Sequence, residues 1–194
     1  MKKYNSRTVR PRPAAVAVLL AATMLGGCGY SRIRELDEAA LSARLDIAVQ
    51  LRRRAELVPN LVTLVQTYGS VSEEVIAAVA NARASLVSAV RADDMGSMED
   101  WSARLSEALG ELLAAVSRYP QLEGDQGYQL LRSQLEETEI EIEEAGRSYN
   151  EAAIRFNDYI ADFPQLVTAK VIGAGPKQSF EPRNLPASHP NVDR

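Results

Sequence analysis

The stretch that decides the fold lies between Tyr128 and Asp162 and reads YQLLRSQLEETEIEIEEAGRSYNEAAIRFNDYIAD. Its apolar and small residues recur at alternating steps of three and four, which predicts the buried seam of one long helix. The seam comprises Tyr128, Leu131, Leu135, Thr138, Ile142, Ala145, Tyr149, Ala152, Phe156 and Tyr159. A helix of this length would span roughly 50 Å. It therefore needs other helices to cover its seam.

Three further helices are predicted upstream of this stretch. The first begins at Ile33 and keeps its seam in register across Pro59, so we expect a kink there and an end at Gly69. Ser70 begins the second helix as a capping box, and Ser97 begins the third. Four long amphipathic helices with short turns predict an all-α protein, an antiparallel four-helix bundle spanning residues 33–164.

Charged residues lie mostly beside the seams. The basic run Arg52-Arg53-Arg54 interrupts the first seam once, at Arg54, and the acidic run extends from Glu136 to Glu144. We expect both runs to be solvated faces, with Arg54 reaching out to water, because charges on helix surfaces are common. A binding patch at the arginines, and a metal or basic partner at the glutamates, are the alternatives.

The chain after the last helix is poor in helix signals. Phe163-Pro164 ends that helix, and Pro176, Pro182, Pro186 and Pro190 follow. Residues 165–194 are therefore expected to form an irregular C-terminal tail, disordered beyond about Pro182.

The N-terminus has the pattern of an export signal. A basic stretch precedes an apolar run from Ala14 to Leu25, which is too short for a spanning helix. The run ends in Leu25-Gly26-Gly27-Cys28, which resembles the lipobox of bacterial lipoproteins. In those proteins the cysteine receives lipid and becomes the first residue. This predicts a signal peptide at 1–27, lipid attachment at Cys28 and a short tether at 28–32. An uncleaved signal anchor is the alternative.

Composition excludes several classes of function. The chain has one Cys and one His, too few for a zinc or iron site built on these ligands. His189 lies in the Pro-rich tail, a poor place for a catalytic base. The formal net charge of −4 argues against a nucleic-acid partner. We therefore expect no catalytic residues, no metal, no cofactor and no small-molecule substrate.

Two separated motifs resemble the LemA family. The first is the basic run followed by Leu57-Val58-Pro59-Asn60-Leu61. The second, a doubled motif, has Tyr149-Asn150, then Phe156-Asn157, and ends in Phe163-Pro164. Phe180-Glu181 fits the aromatic-Glu pair near the family's end, so the resemblance covers about 30–182.

The resemblance implies an N-terminally anchored helical bundle without known catalytic residues and with an unsettled biochemical role. It also implies an envelope protein as partner, with a membrane protease as one candidate. Two features depart from the family pattern. Cys28 stands where a transmembrane segment is usual, and Gly173-Ala174-Gly175 replaces an aromatic residue, which argues against a packed tail.

The motif asparagines suggest a structural hypothesis. Asn60 follows Pro59 and could bond the carbonyl that the proline leaves unpaired. Asn150 and Asn157 lie seven residues apart on one stripe, and they could satisfy polar groups near the same kink. A pure helix-packing role for these residues is the alternative.

The sequence favours an anchored interaction or scaffold protein. Its bulk is expected outside the cytoplasm, because basic residues precede the apolar run. In a two-membrane bacterium we expect outer-membrane sorting, since Gly29 rather than Asp follows the cysteine. The alternatives are an envelope enzyme that uses carboxylates or tyrosines, and a membrane-remodelling protein.

Overall fold

The computed structural model describes residues 13–68 and 71–181, and only the backbone of residues 13–28. These ranges contain helices and no strand, so the all-α class is confirmed. The helices are α1 Pro13–Tyr68, α2 Glu73–Ala92, α3 Met95–Val116, α4 Pro120–Glu123, α5 Gln126–Ala161 and α6 Gln165–Ile172. Four of the six, α1, α2, α3 and α5, are the predicted long helices, and α4 and α6 are additional.

The antiparallel pair of α1 and α5 forms the centre of the bundle. Their most extensive contacts are with each other, and α2 packs chiefly on α3. Ile47, Leu51, Leu61 and Val65 of α1 are fully buried, as the first seam predicts. The α2–α3 hairpin covers this part of the pair with Val79, Leu86, Leu105 and Leu112, among others. Burial of these continuous seams is the main stabilising term of the fold.

A second, smaller cluster lies at the other end of the central pair. It contains Ile33, Leu36, Phe156, Ile160 and Ala169. The hairpin does not supply residues to this cluster, and α6 covers it instead through Ala169. The two ends of the central pair are thus covered by different parts of the chain.

The helix starts differ from the predicted starts by a few residues. Ser72, not Ser70, caps α2, and its hydroxyl accepts a bond from the Val75 amide at 3.4 Å. Asp94, not Ser97, caps α3, because its carboxylate accepts the Ser97 amide at 3.3 Å. The predicted Ser70 and Gly69 boundaries lie outside the described residues. A carboxylate or hydroxyl three residues before a free amide decides each start.

The first helix is longer than predicted. It begins at Pro13, so the predicted tether at 28–32 is helical and belongs to α1. It also continues through Pro59 without a break, in agreement with the unbroken register of the seam. Residues 1–12 of the signal peptide predicted at 1–27, and the side chain of Cys28, lie outside the described residues.

The prediction of an irregular tail is wrong for residues 165–172, which form α6. Residues 173–181 have no regular secondary structure, as predicted, but they pack on the bundle, and we call this segment the strap. Phe180 at its end is fully buried in the main core. A tail without helical periodicity can still pack when side chains of the bundle satisfy its backbone. The predicted disorder beyond Pro182 lies outside the described residues.

Among the described residues, α2 alone has the length and apolar composition to cross a membrane. Val79, Ala82, Leu86 and Ala89 of this helix are buried against the rest of the bundle. The same pattern is expected for a core helix of a folded domain.

Candidate functional site

Two asparagines of α5 hold the strap, and we call them the asparagine clamp. The Asn150 amide donates to the Phe180 carbonyl and accepts from the Phe180 amide, both at 2.7 Å. The Asn157 amide likewise donates to the Lys177 carbonyl at 2.8 Å and accepts from the Lys177 main-chain amide at 2.7 Å. Each side chain therefore pairs with the main-chain N–H and C=O of one residue, as a residue of a neighbouring antiparallel strand does. Only an amide offers a donor and an acceptor together in this way.

The spacing of the clamp explains why the two pairs form together. Seven helical residues separate the asparagines, which is about 10.5 Å along the helix axis. Three residue steps separate Lys177 from Phe180, which is about 10 Å at the rise of an extended chain. The two lengths match, and the strap runs antiparallel to α5. If the strap shifted by one residue along α5, the hydrogen bonds of both asparagines would be lost.

Other contacts fix the strap to three helices. Lys177 Nζ lies 2.6 Å from Asp37 of α1 and 4.6 Å from the centre of the Phe156 ring. Tyr149 donates its hydroxyl to the Gln178 carbonyl at 2.8 Å. The Glu181 amide donates to Glu99 of α3 at 3.0 Å. The strap therefore links α1, α3 and α5.

A polar cavity of about 330 Å³ lies between the strap, α1 and the start of α3. Arg44 and Tyr149 line it together with Lys177. Arg44 donates to the main-chain carbonyl of Asp93 and pairs with its carboxylate at 3.0 Å. Burial raises the pKa of Tyr149, against the opposing charge of Arg44, so the hydroxyl stays a donor at neutral pH. Arg44, Tyr149 and Lys177 give the cavity polar groups that can bind a polar ligand, and none of them pairs a nucleophile with a base.

The hypothesis that Asn60 repairs the proline kink is wrong. Asn60 is exposed, and the clamp asparagines bond the strap and not the kink. Pro59 leaves the Ala55 carbonyl without its helical donor. Arg83 of α2 donates its Nε to that carbonyl at 2.7 Å. A residue from another helix thus satisfies the group, and no local signal in the sequence points to Arg83.

The arginine run and the acidic run pair with each other. Arg54 is buried and meets Glu139 at 2.8 Å, while Arg53 meets Glu141 at 2.6 Å and Glu137 at 3.3 Å. Burial of Arg54 contradicts the expectation that it reaches out to water, whereas Arg53 and Glu137 are exposed, as expected for solvated faces. Burial lowers the pKa of Arg54, against the opposing effect of Glu139. These contacts set the register of α1 against α5.

The remaining predicted site residues lie at the end covered by α6. Phe163 is largely exposed, and Pro164 precedes the first residue of α6. Cys28 lies within α1, one residue before the first described side chain. Among the described residues, no group of carboxylates, His or Cys is arranged to hold a metal ion.

A comparison with protein families matches residues 43–193 to the LemA family. The chain belongs to the LemA family. The matched region contains both Pro59-Asn60 and the asparagine clamp, together with the strap that the clamp holds. The LemA match begins within α1, after Cys28, so the N-terminal segment lies outside it. A search of curated proteins finds no match.

Proposed function

We propose that this LemA protein is a non-catalytic scaffold of the bacterial cell envelope, held to a membrane by lipid on Cys28. In this proposal the bulk of the chain lies outside the cytoplasm, and the bundle docks an envelope protein. A membrane protease is the candidate partner that the family resemblance suggests. The observation that carries the docking role is a row of exposed apolar side chains on α1.

The row consists of Leu41, Leu45 and Val49, each about half exposed. Steps of four place the three side chains one above another on a single face of α1. They extend over about 12 Å of helix. Exposure of such a row to water is unfavourable, and a partner helix packed along it would bury all three side chains. The row lies on the longest helix of the bundle, beside the polar cavity that Leu41 also lines.

The non-catalytic part of the proposal draws on the chemistry of the described residues. Arg54 is the one buried charged side chain among them, and it pairs with a carboxylate at the surface. The Tyr149 hydroxyl donates its hydrogen bond to the Gln178 carbonyl of the strap. Such groups organise the bundle and are not poised for proton or acyl transfer.

The anchor part of the proposal draws on the course of α1. The helix passes through Cys28 and reaches the buried residue Ile33 after about one and a half turns. A lipid on Cys28 would therefore be attached to the end of a helix. This arrangement would hold the bundle close to the bilayer.

Labelling of growing cells with a clickable palmitate analogue tests the anchor. The wild-type chain should carry the label, and its mature form should begin at Cys28. The Cys28→Ala variant should lose the label and keep the longer, uncleaved N-terminus. Label that persists in Cys28→Ala would refute lipid attachment at this residue.

Site-specific photo-crosslinking in cells tests the docking row. A photoreactive residue at Leu45 should give a discrete adduct of higher mass, identified by mass spectrometry. The same probe at Ile154, equally exposed on α5, is the matched control and should give none. Equal adducts at both positions, or none at Leu45, would contradict docking along this row.

A further inference from the structure

The outward side of α6 is apolar and uncovered. Val171 is 81% exposed, Val167 is 55% exposed, and Phe163, just before the helix, is 83% exposed. Val167 and Val171 are four residues apart and share one face of the helix. Leu166 and Ile172 are partly exposed beside them. We call these five residues the α6 outer face. Folded domains rarely leave such a group of large apolar side chains in water unless something covers it.

This face lies where the N-terminal segment joins the bundle. A Cβ atom on Gly29 would lie 4.0 Å from Thr168 Oγ1, so α6 sits directly beside the first residue after Cys28. Ala169 on the inner side of α6 is buried in the end cluster. The apolar run from Ala14 to Leu25, the lipid site predicted at Cys28 and the α6 outer face therefore belong to the same end of the molecule.

The only charged residue of α6 itself is basic, while the exposed Asp162 immediately precedes Phe163. No acidic residue occurs from Phe163 to Phe180, and the charged residues of that stretch are Lys170 and Lys177. Lys170 is exposed in the last turn of α6. The exposed Ile140 of α5, in contrast, stands between two glutamates. An apolar face with a lysine at its edge is the composition of helices that lie in the headgroup region of anionic membranes.

We propose that the α6 outer face lies in the headgroup region of the membrane that holds the N-terminus. The inference rests on the proposed function, because the lipid on Cys28 is what brings this end of the bundle to the bilayer. Anchored at one point only, the bundle could tilt freely. A second contact beside the anchor fixes its orientation, and it adds apolar burial to that of the lipid chains.

A second copy of the chain is a poorer fit to this face. An interface between proteins needs about 800 Å² from each partner. Helix α6 has eight residues and a length of about 12 Å, and it lies beside Gly29 at the end of the bundle. A bilayer has no such minimum of area, because it covers whatever side chains reach its surface.

Fluorescence quenching by brominated lipids tests the contact. Trp101 is the only tryptophan of the chain, so Trp101→Phe gives a silent background. The full-length protein would carry Val171→Trp in that background and be reconstituted in phosphatidylethanolamine–phosphatidylglycerol vesicles with brominated acyl chains. The matched control is Leu130→Trp, which replaces an exposed side chain near the opposite end of α5.

Brominated lipid should quench the Val171→Trp emission by about half or more, because interfacial helices sink roughly 5–10 Å into the boundary region. The Leu130→Trp emission should stay unchanged. Flotation of the vesicles on a density gradient separates the two proposals. If the protein floats with the vesicles but Val171→Trp is not quenched, the membrane contact of α6 is refuted and the anchor stands.

Two other results would also overturn the inference. If the protein does not float with the vesicles, the anchor of the proposed function fails, and the α6 contact fails with it. If the Val171→Trp emission shifts to the blue without lipid as protein concentration rises, a second copy covers the face.

Discussion

The two ends of the α1–α5 pair are covered in different ways. At one end the α2–α3 hairpin buries a continuous apolar seam, with side chains such as Leu86, Leu105 and Leu112 fully enclosed. At the other end α6 and the start of the strap cover a cluster of only five buried residues. The asparagine clamp supplies four directed hydrogen bonds to the strap, which continues from this end to Phe180 in the main core. Where the covering segment is too short to offer a seam, polar pairing holds it in place.

The largest expected effect comes from breaking the apolar cover. Leu105→Ala removes a fully buried side chain of the hairpin and leaves a cavity in the main core. The free energy of unfolding should fall by about 2–5 kcal/mol. Urea unfolding followed by circular dichroism measures it. A change below about 0.5 kcal/mol, the size expected for a surface site, would contradict the central role given to the hairpin seam.

The strap should respond more locally to loss of its buried aromatic residue. Phe180→Ala should lower the free energy that holds the strap closed by about 3 kcal/mol. The global loss should be smaller than for Leu105→Ala, because the strap can detach while the helices stay packed. Hydrogen exchange of the amides of Lys177 and Phe180 measures the local opening.

Phe163→Ala is the matched control for this change, since Phe163 is exposed. It should leave strap exchange unchanged. If Phe180→Ala instead opened the whole bundle in a single cooperative step, the distinction between the two ends would be lost.

A smaller change tests the amide pairing itself. Asn150→Asp keeps the size of the side chain but replaces its donor by an oxygen that faces the Phe180 carbonyl. The free energy of strap opening, measured by hydrogen exchange, should fall by about 1–3 kcal/mol. Asn60→Asp is the control, because Asn60 is exposed, and it should have no effect on strap exchange. Equal strap protection in both variants would show that the clamp is not needed.

The smallest effect is expected at the ion pair of the strap. Lys177 and Asp37 are both partly exposed, so Lys177→Met should cost less than about 1 kcal/mol. The cost should shrink further as salt is added, since salt screens exposed pairs. Thermal unfolding at low and high ionic strength measures it. A large, salt-independent loss would show that the stem of Lys177 on the Phe156 ring matters more than its charge.

The long helices could be predicted from the sequence because their signal is local and periodic. The seams of α1, α2, α3 and α5 are visible residue by residue, and burial follows them. The helix starts were wrong by a few residues because several capping residues compete within one turn, as Asp94 and Ser97 do before α3. Periodicity fixes the body of a helix better than its ends.

The clamp could be recognised only in part. The sequence singles out Asn150 and Asn157 and suggests either bonds near the proline kink or a pure packing role, whereas they bond Phe180 and Lys177. The strap has no helical or strand periodicity of apolar residues, so its own sequence does not predict that it packs on the bundle. The match in length between seven helical and three extended residues is visible only once the partner is known. The bond from Arg83 to the carbonyl that Pro59 leaves free could not be predicted for the same reason, since it joins two helices.

The contact between Asp37 and Lys177 joins residues 140 positions apart. A ribosome makes the first of them long before the last, so the start of α1 is complete while its cover does not yet exist. Ile33 and Leu36 must remain uncovered until nearly the whole chain has emerged. Contacts of such high sequence separation slow folding, because a long loop must close before they form. The hairpin can assemble early, and we expect the end nearest the N-terminus to become native last.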